Sequence, residues 1–295
     1  MKTIVNVYKD DGLWIKDPPG FGDYLRGCLY LEEKSATVAR ERSFEVRFNV
    51  DLAPASRHLE YSAVRFPADR ATLAAAEEFF EPSRDGDVAT VIDRFLNSEE
   101  ATLFISTNAW PQRQCSHASE VSNLAAQIVN FTPEFDEVVR ATTSGIPRPF
   151  VVLHIRDHNL ETTAHQPTRY RRSSPEARAF RRRVDLFIDS VVNPAVPAEC
   201  AVVCISNNVW LRDRLSRWYG YYNLGSVVNN TGNRGVMSEA ELVDAALIKM
   251  AETVFSLSYY PWNSGFTVWL SRLFGVPAVF RNAESAMKPP VSRSC

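Results

Sequence analysis

The 295-residue chain is long enough for one large domain or two medium ones, and 45% hydrophobic with 23% charged residues is ordinary for a soluble globular protein. A net charge of −2 excludes the overall basic field that draws proteins to nucleic acid. No apolar run approaches the roughly 18 residues a membrane helix needs. The opening MKTIVNVYKDDG has no long apolar block and does not read as a secretory signal. Five cysteines, Cys28, Cys115, Cys200, Cys204 and Cys295, are odd in number, scattered and without zinc spacing. A reducing, cytoplasmic compartment and no bound metal are the expectation.

Thr3 to Tyr8 reads as a first strand. After a proline-containing loop comes Gly20-Phe21-Gly22-Asp23-Tyr24-Leu25-Arg26-Gly27, leading into the apolar CLYL. The pattern is strand, glycine loop, helix. Glycines let a backbone approach a ligand closely, and a helix start offers free N–H groups to an anion. The spacing is that of neither a dinucleotide fingerprint nor a P-loop, so a turn with no ligand is an equal reading. Phe44 to Val50 alternates as a strand, Ala71 to Phe80 and Val88 to Leu96 have helical spacing, and Ala101 to Ser106 is a buried-type strand. Ala118 to Asn130 is again helical, and the half closes at the linker-like Thr142 to Pro149.

Phe150 to Asn159, FVVLHIRDHN, passes from a buried strand to ionisable chemistry within a few residues: His154, Arg156, Asp157, His158. In open α/β sheets ligands bind beyond the carboxyl ends of strands, where an arginine meets a phosphate with a planar, two-pronged donor set. Seven arginines between Arg169 and Arg183 form either a basic rim for an anionic ligand or, more simply, a solvated helix face. Ser174-Pro175 opens a helix to about Val192, Cys200 to Ser206 is a strand, and Trp210 to Tyr219 is a helix. Val227-Val228 is a short strand-like pair. Ser238 to Glu241 opens a strong helix that carries Asp244 one turn inside. Val254 to Ser258 is a strand, YYPWNSG a loop, FTVWLSRLFG a helix, and Val276 to Phe280 a last strand.

The alternation predicts an α/β protein of two Rossmann-like βαβ domains, residues 1–147 and 148–295, facing each other across a ligand cleft. Each picked residue also has a plain structural reading. Arg156 could pair with a carboxylate, His154 could be a satisfied core histidine, Asp244 a favourable helix acid, and Ser264 a helix cap.

Gly20-Phe-Gly22-Asp-Tyr-Leu-Arg, then His154-Ile-Arg156, then Leu242-Val-Asp244, then Ser258 and Ser264-Gly-Phe266-Thr-Val-Trp269, follow one another in a familiar order. In this the chain resembles the GT-B fucosyltransferases, the group that includes α1,6-, α1,2- and protein O-fucosyltransferases. The resemblance spans the chain through these motifs and their order. It implies that Arg156 holds the donor diphosphate and stabilises the departing nucleotide, and that His154 lies by the guanine base. It implies that Asp244 reads the guanine N1–H and amino group, and that Ser264, Gly265, Phe266 and Thr267 bind phosphate through hydroxyls and a helix N-terminus. Gly20, Phe21 and Gly22 would approach the donor pyrophosphate. Asp23 stands where several relatives have asparagine. Asp157-His158-Asn159 replaces a second arginine and its following Gly-Asp or Thr-Asp, and Asn207-Asn208 replaces an Asp-Asp pair.

The function implied is metal-independent, inverting transfer of fucose from GDP-fucose to a glycan hydroxyl, with no cofactor and with nucleotide sugar and glycan acceptor as partners. Inversion needs a base. Asp23, Asp157 and His158 are the candidates, and Asp23 is preferred because it belongs to the half that should carry the acceptor. Two rivals remain: a transferase using UDP-xylose or UDP-galactose, and a non-catalytic carbohydrate-binding protein on the same fold.

Overall fold

The structure, a computed structural model, describes residues 2–9, 20–38, 44–60, 62, 64–79, 85–109, 127–157, 174–224 and 237–282. Two four-stranded sheets, both entirely parallel, each anchor a compact unit. The first unit takes in the chain to Asp136 and two returning pieces that end at Leu242 and Gly275; the second takes in the rest.

The first sheet contains β1 (Lys2–Val7), β2 (Phe44–Asn49), β3 (Glu77–Phe79) and β4 (Thr102–Thr107), in the order β2-β1-β4-β3. Helix α1 (Phe21–Val38) carries the chain from β1 to β2. Residues of β1 alternate between faces. Val5 and Val7 pack with Leu73 and Ala76, while Asn6 is buried and donates to Cys28 Sγ of α1 at 3.2 Å. The Asn6 Oδ1 atom also accepts from the Thr107 amide at 3.1 Å, so this buried amide ties two strands to one helix. Gly27 sits where α1 crosses the end of β4. A Cβ there would lie 1.8 Å from the Thr107 carbonyl oxygen, and only glycine allows the approach.

The run expected as one helix from Ala71 to Phe80 divides. Helix α2 (Arg70–Ala74) ends there, and Glu77–Phe79 is strand β3, paired with β4. Asp69 caps α2 by accepting from the Thr72 amide at 2.7 Å. Lys9 Nζ, buried just past β1, donates to Ala76 O at 2.8 Å and to Glu78 Oε1 at 2.5 Å, which holds the end of α2 against β3. Helix α3 (Asp85–Leu96) follows as expected. Helix α4 (Pro133–Thr143) occupies a stretch that periodicity left unassigned before the linker. Of the helix expected over 118–130, only 127–130 is described, and Gln127 and Ile128 are helical.

The second sheet contains β5 (Phe150–Arg156), β6 (Ala201–Ser206), β7 (Val254–Ser258) and β8 (Ala278–Arg281), in the order β6-β5-β7-β8. Helix α5 (Pro175–Phe187) runs on into a π-helical turn, Ile188–Val192, and α6 is Val209–Tyr219. Phe180, Val184, Leu211 and Leu215 from these helices cover Val151, Leu153 and Ile155 of β5. Helix α7 (Glu239–Met250) opens with a reciprocal cap. The Glu241 amide donates to Ser238 Oγ at 3.2 Å, and the Ser238 amide donates to Glu241 Oε2 at 3.0 Å. Helix α8 (Gly265–Phe274) precedes β8. Val227-Val228 and the arginines from 169 to 172 lie outside the described residues. No helix of the described residues is long and apolar enough to cross a membrane.

Candidate functional site

The chain leaves β5 for β6 on one side and β7 lies on the other, so the loops after β5 and β7 part at a topological switch point. Arg156 ends β5 there, directly beside Ser258, which ends β7. The Tyr259 amide donates to the Arg156 carbonyl at 2.8 Å and fixes the two strand ends together.

Two residues back, His154 pairs in register with Ser256 and points to the face opposite the α5 and α6 core. Its Nδ1 lies 3.2 Å from Ser256 Oγ and 2.6 Å from Thr267 Oγ1, and its ring centroid is 6.3 Å from that of Phe266. Burial, and secondarily the Arg156 charge, push its pKa down to about 3, so the imidazole is neutral at physiological pH. Thr267 stands in the first turn of α8, whose start is marked by the buried Ser264. A hydrogen bond from helix to sheet therefore sets the N-terminus of α8, with its unpaired amides and positive dipole end, beside the strand that carries Arg156.

Asp244 lies in the second turn of α7 and is 3% exposed. Arg212 of α6 is 2% exposed. Both charges reach the Cys204 thiol of β6, which burial pushes up to about 12, Arg212 pulling it down and Asp244 adding to the rise. Asp157 is also buried, but it is held structurally. Its amide donates to Asn207 Oδ1 at 2.9 Å, its carbonyl accepts from Asn207 Nδ2 at 3.2 Å, and its Oδ2 accepts from Asn208 Nδ2 at 2.6 Å. Asn208 Oδ1 in turn caps α6 at the Leu211 amide, 3.1 Å away. The two asparagines clasp the end of β5 to the end of β6. His158 lies outside the described residues.

In the first unit the glycine stretch is helix rather than loop. Gly20 accepts from the Asp23 and Tyr24 amides, and α1 begins at Phe21, so Gly22 and Asp23 are already helical. The Phe21 ring is buried against Tyr8 and Tyr24. Asp23 is partly exposed, with Oδ1 3.1 Å from Arg26 Nη1, and Arg26 Nε donates to the Asn108 carbonyl at 2.5 Å. Asn108 follows β4, beside the carboxyl end of β1 and the switch point of this sheet. Asp23 thus reaches that switch point through one arginine.

The structure brings together Arg156, His154, Phe266, Thr267 and Ser264 through β5, β7 and α8. Ser256 and Arg212 escaped the sequence reading. A buried serine between Phe255 and Leu257 in the middle of the strand VFSLS, and an arginine on the same turn as Leu211, are the signals that mark them. Among the described residues, no three His, Cys, Asp or Glu side chains gather as they would around a metal ion.

No family model matches the chain, and no curated protein matches it in sequence. Solved structures do. A NodZ α-1,6-fucosyltransferase soaked with GDP-fucose superposes with a TM-score of 0.56 at 16% identity, over 96% of each chain. Fucosyltransferase NodZ from Bradyrhizobium gives 0.51 at 17% over 91% of each. A mutant of Arabidopsis thaliana FUT1 in complex with GDP gives 0.57 at 11%, over 95% of this chain and 70% of the other. The fold is that of the GT-B fucosyltransferases. Its two parallel sheets account for the βα alternation in both halves of the sequence.

Proposed function

We propose that the protein transfers fucose from GDP-fucose to a hydroxyl of a glycan acceptor, with inversion and without a metal ion. The observation that carries this reading is the position of Arg156. It stands at the switch point of the second sheet, two residues from a buried neutral histidine that is itself bonded to the first turn of α8. A guanidinium and a helix N-terminus, both fixed by strand register, are what a departing diphosphate requires as its charge grows. The GDP and GDP-fucose named with the matching fucosyltransferase structures support the choice of nucleotide.

In this reading the second unit binds the nucleotide sugar and the first supplies the base for the acceptor hydroxyl. Arg156 and the amides and hydroxyls of Ser264 to Thr267 hold the diphosphate. With Nδ1 of His154 engaged by two hydroxyls, Nε2 is the ring atom that faces the donor. Asp244 accepts from guanine N1–H and the exocyclic amine, because a carboxylate offers acceptors only and guanine presents two donors on that edge. The acceptor oxygen forms a bond to the fucose anomeric carbon as the bond from that carbon to phosphate breaks, and GDP leaves with the electron pair. The acceptor proton passes to Asp23 on the first unit, where Gly20 and Gly22 lie at the same helix start.

The test is thermal stabilisation by GDP, UDP, ADP and CDP, each in excess EDTA, on wild type and on Asp244→Asn. A ligand bound only by the native state raises apparent stability by mass action. Stabilisation by GDP alone, lost in Asp244→Asn, is the expected result. Stabilisation by UDP instead keeps the fold and replaces the donor, and stabilisation by none leaves a carbohydrate-binding module as the reading.

A further inference from the structure

The loop between β7 and α8 carries four aromatic or proline residues in a row, Tyr259-Tyr260-Pro261-Trp262. Single exposed aromatics are common on protein surfaces and mean little by themselves. Trp218, the other highly exposed tryptophan among the described residues, is of that kind. It lies in the last turn of α6 under the Arg214 guanidinium, 4.5 Å from its ring.

Trp262 is different. It is 60% exposed, yet its ring is held parallel to that of Tyr260, at 5.0 Å between centroids and 11° between planes. Tyr260 meets Tyr259 edge to face at 5.8 Å, and Tyr259 meets the core residue Phe180 edge to face at 5.2 Å. The Tyr260 amide donates to Ser258 Oγ at 3.2 Å, and the Tyr259 amide to the Arg156 carbonyl at 2.8 Å. A ladder of rings thus rises from the hydrophobic core, begins at the candidate phosphate-binding arginine, and ends in an indole offered to solvent. Because the indole is already ordered, a ligand stacking on it forfeits little side-chain entropy.

We propose that the Tyr260–Trp262 stack is a saccharide platform that holds a pyranose ring of the acceptor glycan; this rests on the transferase reading above. The negative face of an indole attracts polarised C–H hydrogens, and one face of a pyranose presents several of them together. The exposed Asn263 beside the platform offers two donors and an acceptor to the hydroxyls around the ring edge. A loop at a strand's carboxyl end, on a rigid scaffold, is where an acceptor choice is set without disturbing the donor site.

The experiment uses the full chain as wild type, Trp262→Ala, Trp262→Phe and Tyr260→Ala. Each is tested for binding to an immobilised panel of oligosaccharides built from glucose, galactose, mannose and N-acetylglucosamine, in the presence of GDP. The GDP thermal shift and the sedimentation coefficient are measured on the same samples. Wild type is expected to hold at least one saccharide. Trp262→Ala should weaken that binding at least about tenfold, and Trp262→Phe, which keeps an aromatic face, by less than about threefold. The GDP shift should be equal in all four. No saccharide bound by wild type, or equal binding by Trp262→Ala, overturns the proposal. So does a change of sedimentation in Trp262→Ala, which would make the ring a contact between copies. A wild type that binds saccharide through Trp262 but shows no GDP shift overturns the donor reading and leaves the platform standing.

Discussion

Thr267 Oγ1 lies 2.6 Å from Nδ1 of His154, and this one bond fastens the first turn of α8 to the middle of the second sheet. Both groups are buried, so losing one partner exposes the other to the cost of an unmet hydrogen bond. Thr267→Val keeps the shape and removes the hydroxyl. It should lower unfolding free energy by about 1–3 kcal/mol in urea titrations and weaken GDP stabilisation by more than that loss alone explains. Unchanged GDP affinity would separate the helix start from the donor site.

The His154 ring makes stability depend on pH in a definite direction. Its folded pKa, about 3, lies below its ordinary value of 6.5. Between those values the unfolded chain binds a proton that the folded chain refuses, so this contribution is full above pH 6.5 and is lost as pH falls toward 3. The slope amounts to at most about 1.4 kcal/mol per pH unit. His154→Asn, which keeps hydrogen-bonding capacity near Nδ1, should flatten the urea-midpoint profile across that window. Parallel profiles for the two proteins would remove the histidine as the cause.

Arg156→Ala should reduce fucose transfer and acceptor-free donor hydrolysis by at least about a hundredfold, the scale of a lost transition-state donor. Arg156→Lys keeps the charge but not the two-pronged geometry and should recover only part of the rate. Turnover within about threefold of wild type, roughly 0.7 kcal/mol of barrier, would sink the assignment.

Asn208→Asp preserves the acceptor that caps α6 but places a second carboxylate against Asp157 Oδ2, where Asn208 now donates at 2.6 Å. Two adjoining carboxylates cannot both ionise without cost, so the variant should be about 2–3 kcal/mol less stable than wild type at pH 7 and recover as pH falls toward 4. A deficit independent of pH would point to lost packing instead.

Gly27→Ala forces a methyl to 1.8 Å from the backbone oxygen of Thr107, and neither α1 nor β4 can yield cheaply. A loss of at least about 2 kcal/mol in thermal or urea unfolding is expected. A near-neutral result would show that the crossing of helix and strand relaxes readily enough to admit a methyl group.

The local run of residues by itself determined most strands of this fold. Phe150 to Ile155, Cys200 to Ser206 and Val254 to Ser258 are mostly apolar runs that only a sheet covered on both faces can bury, and each is a strand within a residue or two of its expected ends. Ser174-Pro175 and Ser238 to Glu241 announced their helices through cap chemistry that acts within one turn. Helix α4 carried a similar start, Thr132 before a proline and two acids, but its apolar spacing was too weak for periodicity to assign it, and the cap from the Phe135 amide to Thr132 Oγ1 is seen only in the structure. Glu77–Phe79 was not legible. Three residues hold no period, the alanines before them favour helix, and the strand they pair with is β4, more than twenty residues on. The same limit applies to the candidate site. A sequence can place His154, Ser256 and Thr267 on a strand, a strand and a helix, but the pairing of His154 with Ser256 and the bond to Thr267 come from register between strands a hundred residues apart. That Asp157 is tied to Asn207 and Asn208, and that Trp262 stands on a ladder of rings, was likewise decided by tertiary structure. Local propensity reaches one turn or one strand, and long-range packing alone chooses which side chains meet.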